Sequence, residues 1–161
     1  MKKMDTTLSN LPKIGQLAPA LSLLNQDGEK ISLKDFRDQS QVILYFYPKA
    51  LTPGCTVQAQ MLRDQEKKWK KLNTIVLGVS PDLPGKLKKF AEKESLNFHL
   101  LSDPDHEIAL KYGVWGKKKF MGRVYDGVFR TTFIIDKAGK IKHILEDVKT
   151  KTHHEDVCPF L

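Results

Sequence analysis

The chain has only two cysteines in 161 residues, Cys55 and Cys158. That is too few for a disulfide scaffold, and in a reducing compartment such sparse thiols more often do chemistry than crosslink a fold. No apolar run approaches the roughly 20 residues that a membrane-crossing helix needs. Met1-Lys2-Lys3 leads into polar Asp5-Thr6-Thr7 rather than the apolar core of a signal peptide. These absences point to a cytoplasmic protein with no membrane partner. No linker, internal repeat or low-complexity segment divides the sequence, so residues 1–161 are expected to form a single domain, large enough to bury about two-thirds of its unfolded surface. No Cys/His spacing suits zinc, and neither a metal nor an organic cofactor is expected. Acidic residues are outnumbered, 19 against 27 Lys and Arg, for a net charge of +8. That excess favours acidic partners, and nucleic acid has to be considered. The distribution argues against it. Lysines 67, 68, 70, 71, 86, 88 and 89 share predicted helices with Asp64, Glu66, Glu92 and Glu94, as on solvated helix faces, and only 117–119 is a pure basic run.

Residues 42–63, VILYFYPKALTPGCTVQAQMLR, organise the rest. The apolar run 42–47 suits a strand covered on both faces, and Pro48 stops it by removing a backbone donor. A loop then turns on Pro53-Gly54. From Thr56 a helix is predicted in which Val57, Met61, Leu62, Trp69 and Leu72 share the dry side. Cys55 falls at or just before its first turn, where unpaired N–H groups and the positive end of the helix dipole favour a thiolate. A packing cysteine is the ordinary alternative. The polar, tightly turned lead-in Thr52-Pro53-Gly54 argues against it.

Residues 1–15 read as a polar lead-in. Residues 18–24, a turn at 25–28 and a return at 30–33 predict an N-terminal β-hairpin, with Ser32-Leu33-Lys34-Asp35 resembling a capping box for a brief helical turn. Further on, 73–79 reads as a strand, 83–94 as a helix, 98–101 as a strand, and 102–112 as a helix capped by Gly113. Residues 114–127, with three glycines and a basic run, read as a long loop. Residues 128–136 and 140–145 form a hairpin around Lys137-Ala138-Gly139. Residues 150–161 read as a helix that stops at Cys158-Pro159, leaving an irregular or mobile tail. Alternating strands and helices predict an α/β fold with a mostly parallel sheet. Chemistry in such a sheet collects at the carboxyl ends of the strands, where the loop after Tyr47 lies.

Pro48-x-x-x-Thr52-x-x-Cys55 resembles the active-site signature of peroxiredoxins. The longer YPKALTPGCTVQAQMLRD is similar to the bacterioferritin comigratory protein branch, also called peroxiredoxin Q. The likeness continues through VLGVSPDLPGKLKKFAEKESLNFHLLSDPDHEIALKYGVWG, FMGRVYDGVFRTTFIID and the His153-His154 ending. It implies a thioredoxin-like fold, a central mixed β-sheet flanked by helices with the N-terminal hairpin as an extension. It implies a thiol-dependent peroxidase that reduces hydrogen peroxide and organic hydroperoxides in antioxidant defence. By resemblance Cys55 is the peroxidatic cysteine, Thr52 the hydroxyl that contacts thiolate and peroxide, Pro48 the shield of the pocket, and Arg130 the distant guanidinium that joins them. The chemistry suits these types: displacement at an O–O bond spreads negative charge over sulfur and the leaving oxygen, so fixed donors aimed at both lower the barrier. Without the resemblance, Arg130 would read as a solvent-facing strand charge.

The chain departs from the pattern at Gln60, where many members of this branch carry the resolving cysteine. Three routes remain for reducing a Cys55 sulfenic acid: Cys158 of the same chain, a cysteine of a second subunit, or an external thiol. The preferred reading is a one-cysteine cycle served by thioredoxin, glutaredoxin or glutathione, in a monomer or weak homodimer, with Cys158 as the candidate resolving residue otherwise. His153 and His154 read as surface or capping residues, and Trp115 and Phe120 as packing residues rather than the site entrance. A disulfide oxidoreductase is disfavoured by the missing Cys-x-x-Cys. The non-enzymatic alternative is a basic binding or holdase-like protein on the same fold, with little peroxidase turnover.

Overall fold

The computed structural model describes residues 11–161, and the rest of the expected lead-in lies outside them. Strands β1 (Ser22–Leu24) and β2 (Lys30–Ser32) form the expected hairpin, followed by a 3-10 turn at Leu33–Phe36. The Ser32/Asp35 capping box is present there. Next come β3 (Gln41–Phe46), α1 (Pro53–Arg63), α2 (Glu66–Lys71), β4 (Thr74–Ser80), α3 (Pro84–Glu94), β5 (His99–Ser102) and α4 (Glu107–Lys111). The chain closes with β6 (Trp115–Phe120), β7 (Arg123–Val128), β8 (Thr131–Ile135), β9 (Ile141–Leu145) and α5 (His153–Asp156).

Seven strands make one mixed sheet in the order β2-β1-β5-β4-β3-β8-β9. The central trio β3, β4 and β5 is parallel, and the flanking pairs are antiparallel. The fold is thus α/β and thioredoxin-like. Because side chains alternate along a strand, β3 feeds two apolar layers: Val42, Leu44 and Phe46 pack with Leu77, Tyr112 and Phe133, whereas Ile43, Tyr45 and Tyr47 pack with Cys55, Ala59, Leu62 and Phe90. Coverage on both faces is why this segment reads as an unbroken apolar run. At Gly78 of β4 an added Cβ would lie 3.0 Å from the Tyr45 ring, so the glycine makes room for that side chain.

The mostly parallel sheet expected from the alternation of strands and helices is corrected to a mixed one, with only the β3–β4 and β4–β5 pairings parallel, and three further expectations are corrected. The long helix from Thr56 is two helices, with Asp64 ending α1 and Gln65 starting α2. Trp69 Nε1 donates to the Leu62 carbonyl at 2.8 Å, folding α2 back on the end of α1. The buried side of α1 is Cys55, Gln58, Ala59 and Leu62, which leaves Met61 on its exposed side, and past the turn, where the helical register is broken, Leu72 is exposed as well. Residues 115–128 are a two-stranded ribbon, β6 with β7, not a loop. The ribbon stands apart from the main sheet, most of its residues are exposed, and no buried face imposes alternation on its sequence. The tail is ordered: Cys158–Phe160 form a 3-10 turn, Val157 is buried, and the Phe160 ring stacks on His143 with centroids 3.5 Å apart.

Candidate active site

Residues 47–52 carry the chain from the carboxyl end of β3 to α1. Ser80, at the carboxyl end of the neighbouring parallel strand, donates its hydroxyl to Asp82 Oδ2 at 2.8 Å, and the same oxygen accepts the Ala50 N–H at 2.7 Å. Lys86 lies 3.1 Å from the other carboxylate oxygen. One carboxylate therefore ties the loop to the end of β4. Thr52 is the N-cap residue, and Pro53 opens the helix where its missing N–H costs nothing. Cys55 is the third residue of α1, among N–H groups that have no intrahelical acceptor. Its side chain is 1% exposed.

Arg130 approaches from the short connection between β7 and β8. Its Nη2 donates to Cys55 Sγ at 3.3 Å, and its Nη1 donates to Gln58 Oε1 at 3.2 Å. The guanidinium passes close over Gly54, where a Cβ would just touch Nη2 at 3.4 Å. Behind the guanidinium the contacts continue inward. Gln58 Nε2 meets His153 Nδ1 at 3.0 Å, and His153 Nε2 meets Thr132 Oγ1 at 2.7 Å. Gln58, Thr132 and His153 are all buried. Burial pushes the imidazole down to about 4, against a weaker opposing pull from Asp156. Lys118 adds a second cation: its ammonium donates to the Val128 carbonyl at 2.8 Å and lies over the Phe129 ring. Burial lowers its affinity for the proton, and Arg130 acts in the same direction.

Of the residues singled out from sequence, the structure brings Cys55 and Arg130 together. Pro48 is half-buried directly after β3. Thr52 Oγ1 donates to the Lys49 carbonyl at 2.7 Å, which orients the hydroxyl within the loop. Gln60, at the variant position, donates to Glu94 Oε1 at 2.7 Å and links α1 to α3. Cys158 is half-buried, its thiol donating to the His154 carbonyl at 3.3 Å, with Lys68 Nζ 3.7 Å away. Both cysteines are free thiols. His153 is a correction: it is 1% exposed rather than on the surface, because α5 docks on α1 and carries that face of the helix into the core. Trp115 packs as expected, stacked on His106 at 3.6 Å, whereas Phe120 is 65% exposed on the ribbon. Sequence reasoning missed Gln58 and Asp82. Gln58 stood one helical turn after Cys55, on the same side of α1, which was the signal available.

Among the described residues no three His, Cys, Asp or Glu side chains converge as metal ligands would. What the site offers is a buried sulfur with helix N–H groups on one side and a guanidinium on the other. Such an arrangement stabilises negative charge on sulfur and on the leaving atom of a substrate that the sulfur attacks.

The chain matches the AhpC/TSA family model over residues 14–144. It is 55% identical over 149 residues to peroxiredoxin Bcp of Escherichia coli strain K12, covering 92% of this chain and 95% of that protein. Peroxiredoxin Bcp of Bacillus subtilis strain 168 is 43% identical over 141 residues, 88% and 89% of the two chains. Among solved structures, peroxidoxin BcpB from Mycobacterium tuberculosis superposes with a TM-score of 0.81 at 32% identity, covering 92% of this chain and 95% of that one. The bacterioferritin comigratory protein of Xanthomonas campestris, described for its alkyl peroxide reduction activity, superposes with a TM-score of 0.83 at 26% identity, covering 91% and 96%.

Proposed function

The chain belongs to the AhpC/TSA family and is a thiol peroxidase of the peroxiredoxin Bcp type, and from that premise we propose that Cys55 is the residue that reacts with peroxide. The contact between Arg130 Nη2 and Cys55 Sγ, 3.3 Å, carries this reading. The Cys55 thiolate attacks one oxygen of the substrate, forming an S–O bond as the O–O bond breaks. The departing oxygen takes up a proton and leaves as water or an alcohol, and the cysteine is left as sulfenic acid. Arg130 and the first-turn N–H groups hold the charge that spreads over sulfur and the leaving oxygen. Thr52, at the helix entrance, gives its hydroxyl proton to the Lys49 carbonyl and so offers its oxygen as an acceptor to the bound peroxide, and Pro48 limits water access to the sulfur. Hydrogen peroxide and alkyl hydroperoxides are the substrates of this chemistry.

A thiol reductant completes the cycle. The first thiol condenses with the sulfenic acid to give a mixed disulfide and water, and a second thiol releases Cys55 and leaves as disulfide. Gln60 cannot supply the first step, and the Cys158 thiol is engaged with the His154 carbonyl. Both observations support a one-cysteine cycle served by thioredoxin, glutaredoxin or a small thiol. We infer further that the protein is a cytoplasmic monomer or weak homodimer that does not bind nucleic acid. The holdase-like alternative is not favoured, since the relatives at 55% and 43% identity bear peroxiredoxin names.

Peroxide consumption by Cys55→Ser with saturating thioredoxin tests the assignment. Loss of turnover is expected. Wild-type turnover in that variant would refute it.

A further inference from the structure

His153 lies outside the peroxide chemistry as described, yet it is the inner end of a continuous chain of contacts to the Cys55 sulfur. The polarity of that chain follows from one fact: a guanidinium has donors and no acceptor. The Gln58 atom facing Arg130 must therefore be the carbonyl oxygen, as found at 3.2 Å. The amide nitrogen is then forced toward His153, where it donates to Nδ1 at 3.0 Å. Accepting at Nδ1 requires the neutral ring with its proton on Nε2, and that proton is donated to Thr132 Oγ1 at 2.7 Å. Every bond in the series has one allowed direction.

We propose that His153 is a positioning residue for peroxide reduction: as the acceptor at Nδ1 it fixes which end of the Gln58 amide faces Arg130, and so holds the guanidinium on the Cys55 sulfur. An amide has two nearly isosteric ends. Turned by 180°, Gln58 would present N–H groups to the Arg130 N–H groups and push the guanidinium off its mark. Arg130 in front of Gln58 and an acceptor behind it select the same end, and among the bonds found at Gln58 His153 supplies that acceptor, so that the productive end is held from both sides. The Tyr45 ring, 5.5 Å from the imidazole, packs beside it, and Asp156 and His154 on α5 are the neighbouring titratable groups. Burial keeps the ring neutral through the physiological range, with its pKa down at about 4, so the acceptor is permanently available. The consequence is a dependence of the site on the C-terminal helix, 95 residues away in sequence from Gln58.

The inference rests on Cys55 as the reacting thiol, and the test separates the two. His153→Leu removes the acceptor. His153→Asn restores an acceptor near the Nδ1 position. Gln58→Glu replaces the amide by a carboxylate, which has no wrong end and holds Arg130 without selection from behind. The measurement is the second-order rate of Cys55 oxidation by hydrogen peroxide in stopped flow, on the full chain, with circular dichroism and melting temperature as checks on folding. His153→Leu is expected to slow oxidation about tenfold, the scale of one lost hydrogen bond to a charged group. His153→Asn should recover most of it, and in the Gln58→Glu background the His153→Leu loss should fall below about threefold. A folded His153→Leu variant with the wild-type rate, or one equally impaired with and without Gln58→Glu, overturns the proposal. If His153→Leu does not fold, Thr132→Val, which keeps the side chain's shape, decides the matter: an unchanged rate overturns it, and a loss that Gln58→Glu abolishes supports it. Wild-type peroxide turnover in Cys55→Ser would instead remove the underlying reading.

Discussion

Arg130 and Cys55 are 75 residues apart in the chain, and the guanidinium Nη2 lies 3.3 Å from the sulfur. The contact is built from two independent pieces of the fold. β3 delivers Cys55 to the start of α1, while the antiparallel pairing of β8 with β3 places Thr131 opposite Phe46 and so brings Arg130, one residue earlier, to the same end of the sheet.

Replacing Arg130 tests how much that contact does. Arg130→Gln removes the charge and most of the donors, and the rate of Cys55 oxidation by peroxide is expected to fall about 100-fold, the scale of losing one oriented donor from an oxyanion site. Arg130→Lys is expected to recover little, because an ammonium cannot reach sulfur and Gln58 at once in the fork geometry. Stopped-flow oxidation of both variants checks this, and near-wild-type rates in Arg130→Lys would mean that charge alone suffices.

Asp82 is expected to matter without touching sulfur. Its carboxylate accepts the Ala50 N–H and the Ser80 hydroxyl and pairs with Lys86. Asp82→Ala leaves a loop N–H and a buried hydroxyl without their acceptor, and a stability loss of about 2 kcal/mol is expected in urea denaturation. Because the same loop carries Thr52, peroxide turnover should drop by more than the change in folded fraction. Parallel loss of both in strict proportion would confine Asp82 to stability.

His153 gives the stability of the protein a pH dependence. Its folded value, down at about 4, lies below the ordinary 6.5 of an unfolded chain. Above 6.5 the ring is neutral in both states and its contribution is complete. As pH falls toward 4 the unfolded chain takes up the proton first, so stability is lost across this window, by about 3 kcal/mol in total. Urea midpoints from pH 7 to 4 should therefore fall more steeply in wild type than in His153→Asn. Equal slopes would contradict a buried neutral imidazole.

Why some of this was legible in the sequence and some was not has a physical basis. The run 42–47 announced a strand covered on both faces, because that signal is local, whereas Pro53-Gly54 read as a turn and the helix as starting at Thr56, although α1 starts at Pro53. The Ser32/Asp35 capping box is local too. The docking of His153 on Gln58 and Thr132 is not: its partners are 95 and 21 residues away, and adjacent histidines on a short helix carry no sign of which one turns inward. The β6–β7 ribbon escaped for the opposite reason. With Lys117, Lys119, Phe120, Met121 and Val124 all exposed, it has no buried face to write an alternation into the sequence. Arg130 read as a solvent-facing strand charge on periodicity alone, and only the resemblance to a family placed it in the site.

The central claim is that Cys55 is oxidised within the chain and reduced from outside it. Intact mass after one equivalent of hydrogen peroxide, on wild type and Cys158→Ser, before and after adding thioredoxin, tests it most directly. The account predicts the gain of one oxygen in both proteins, removed by thioredoxin in both. A loss of two hydrogens in wild type that is absent in Cys158→Ser would show that a Cys55–Cys158 disulfide resolves the cycle, and would contradict it.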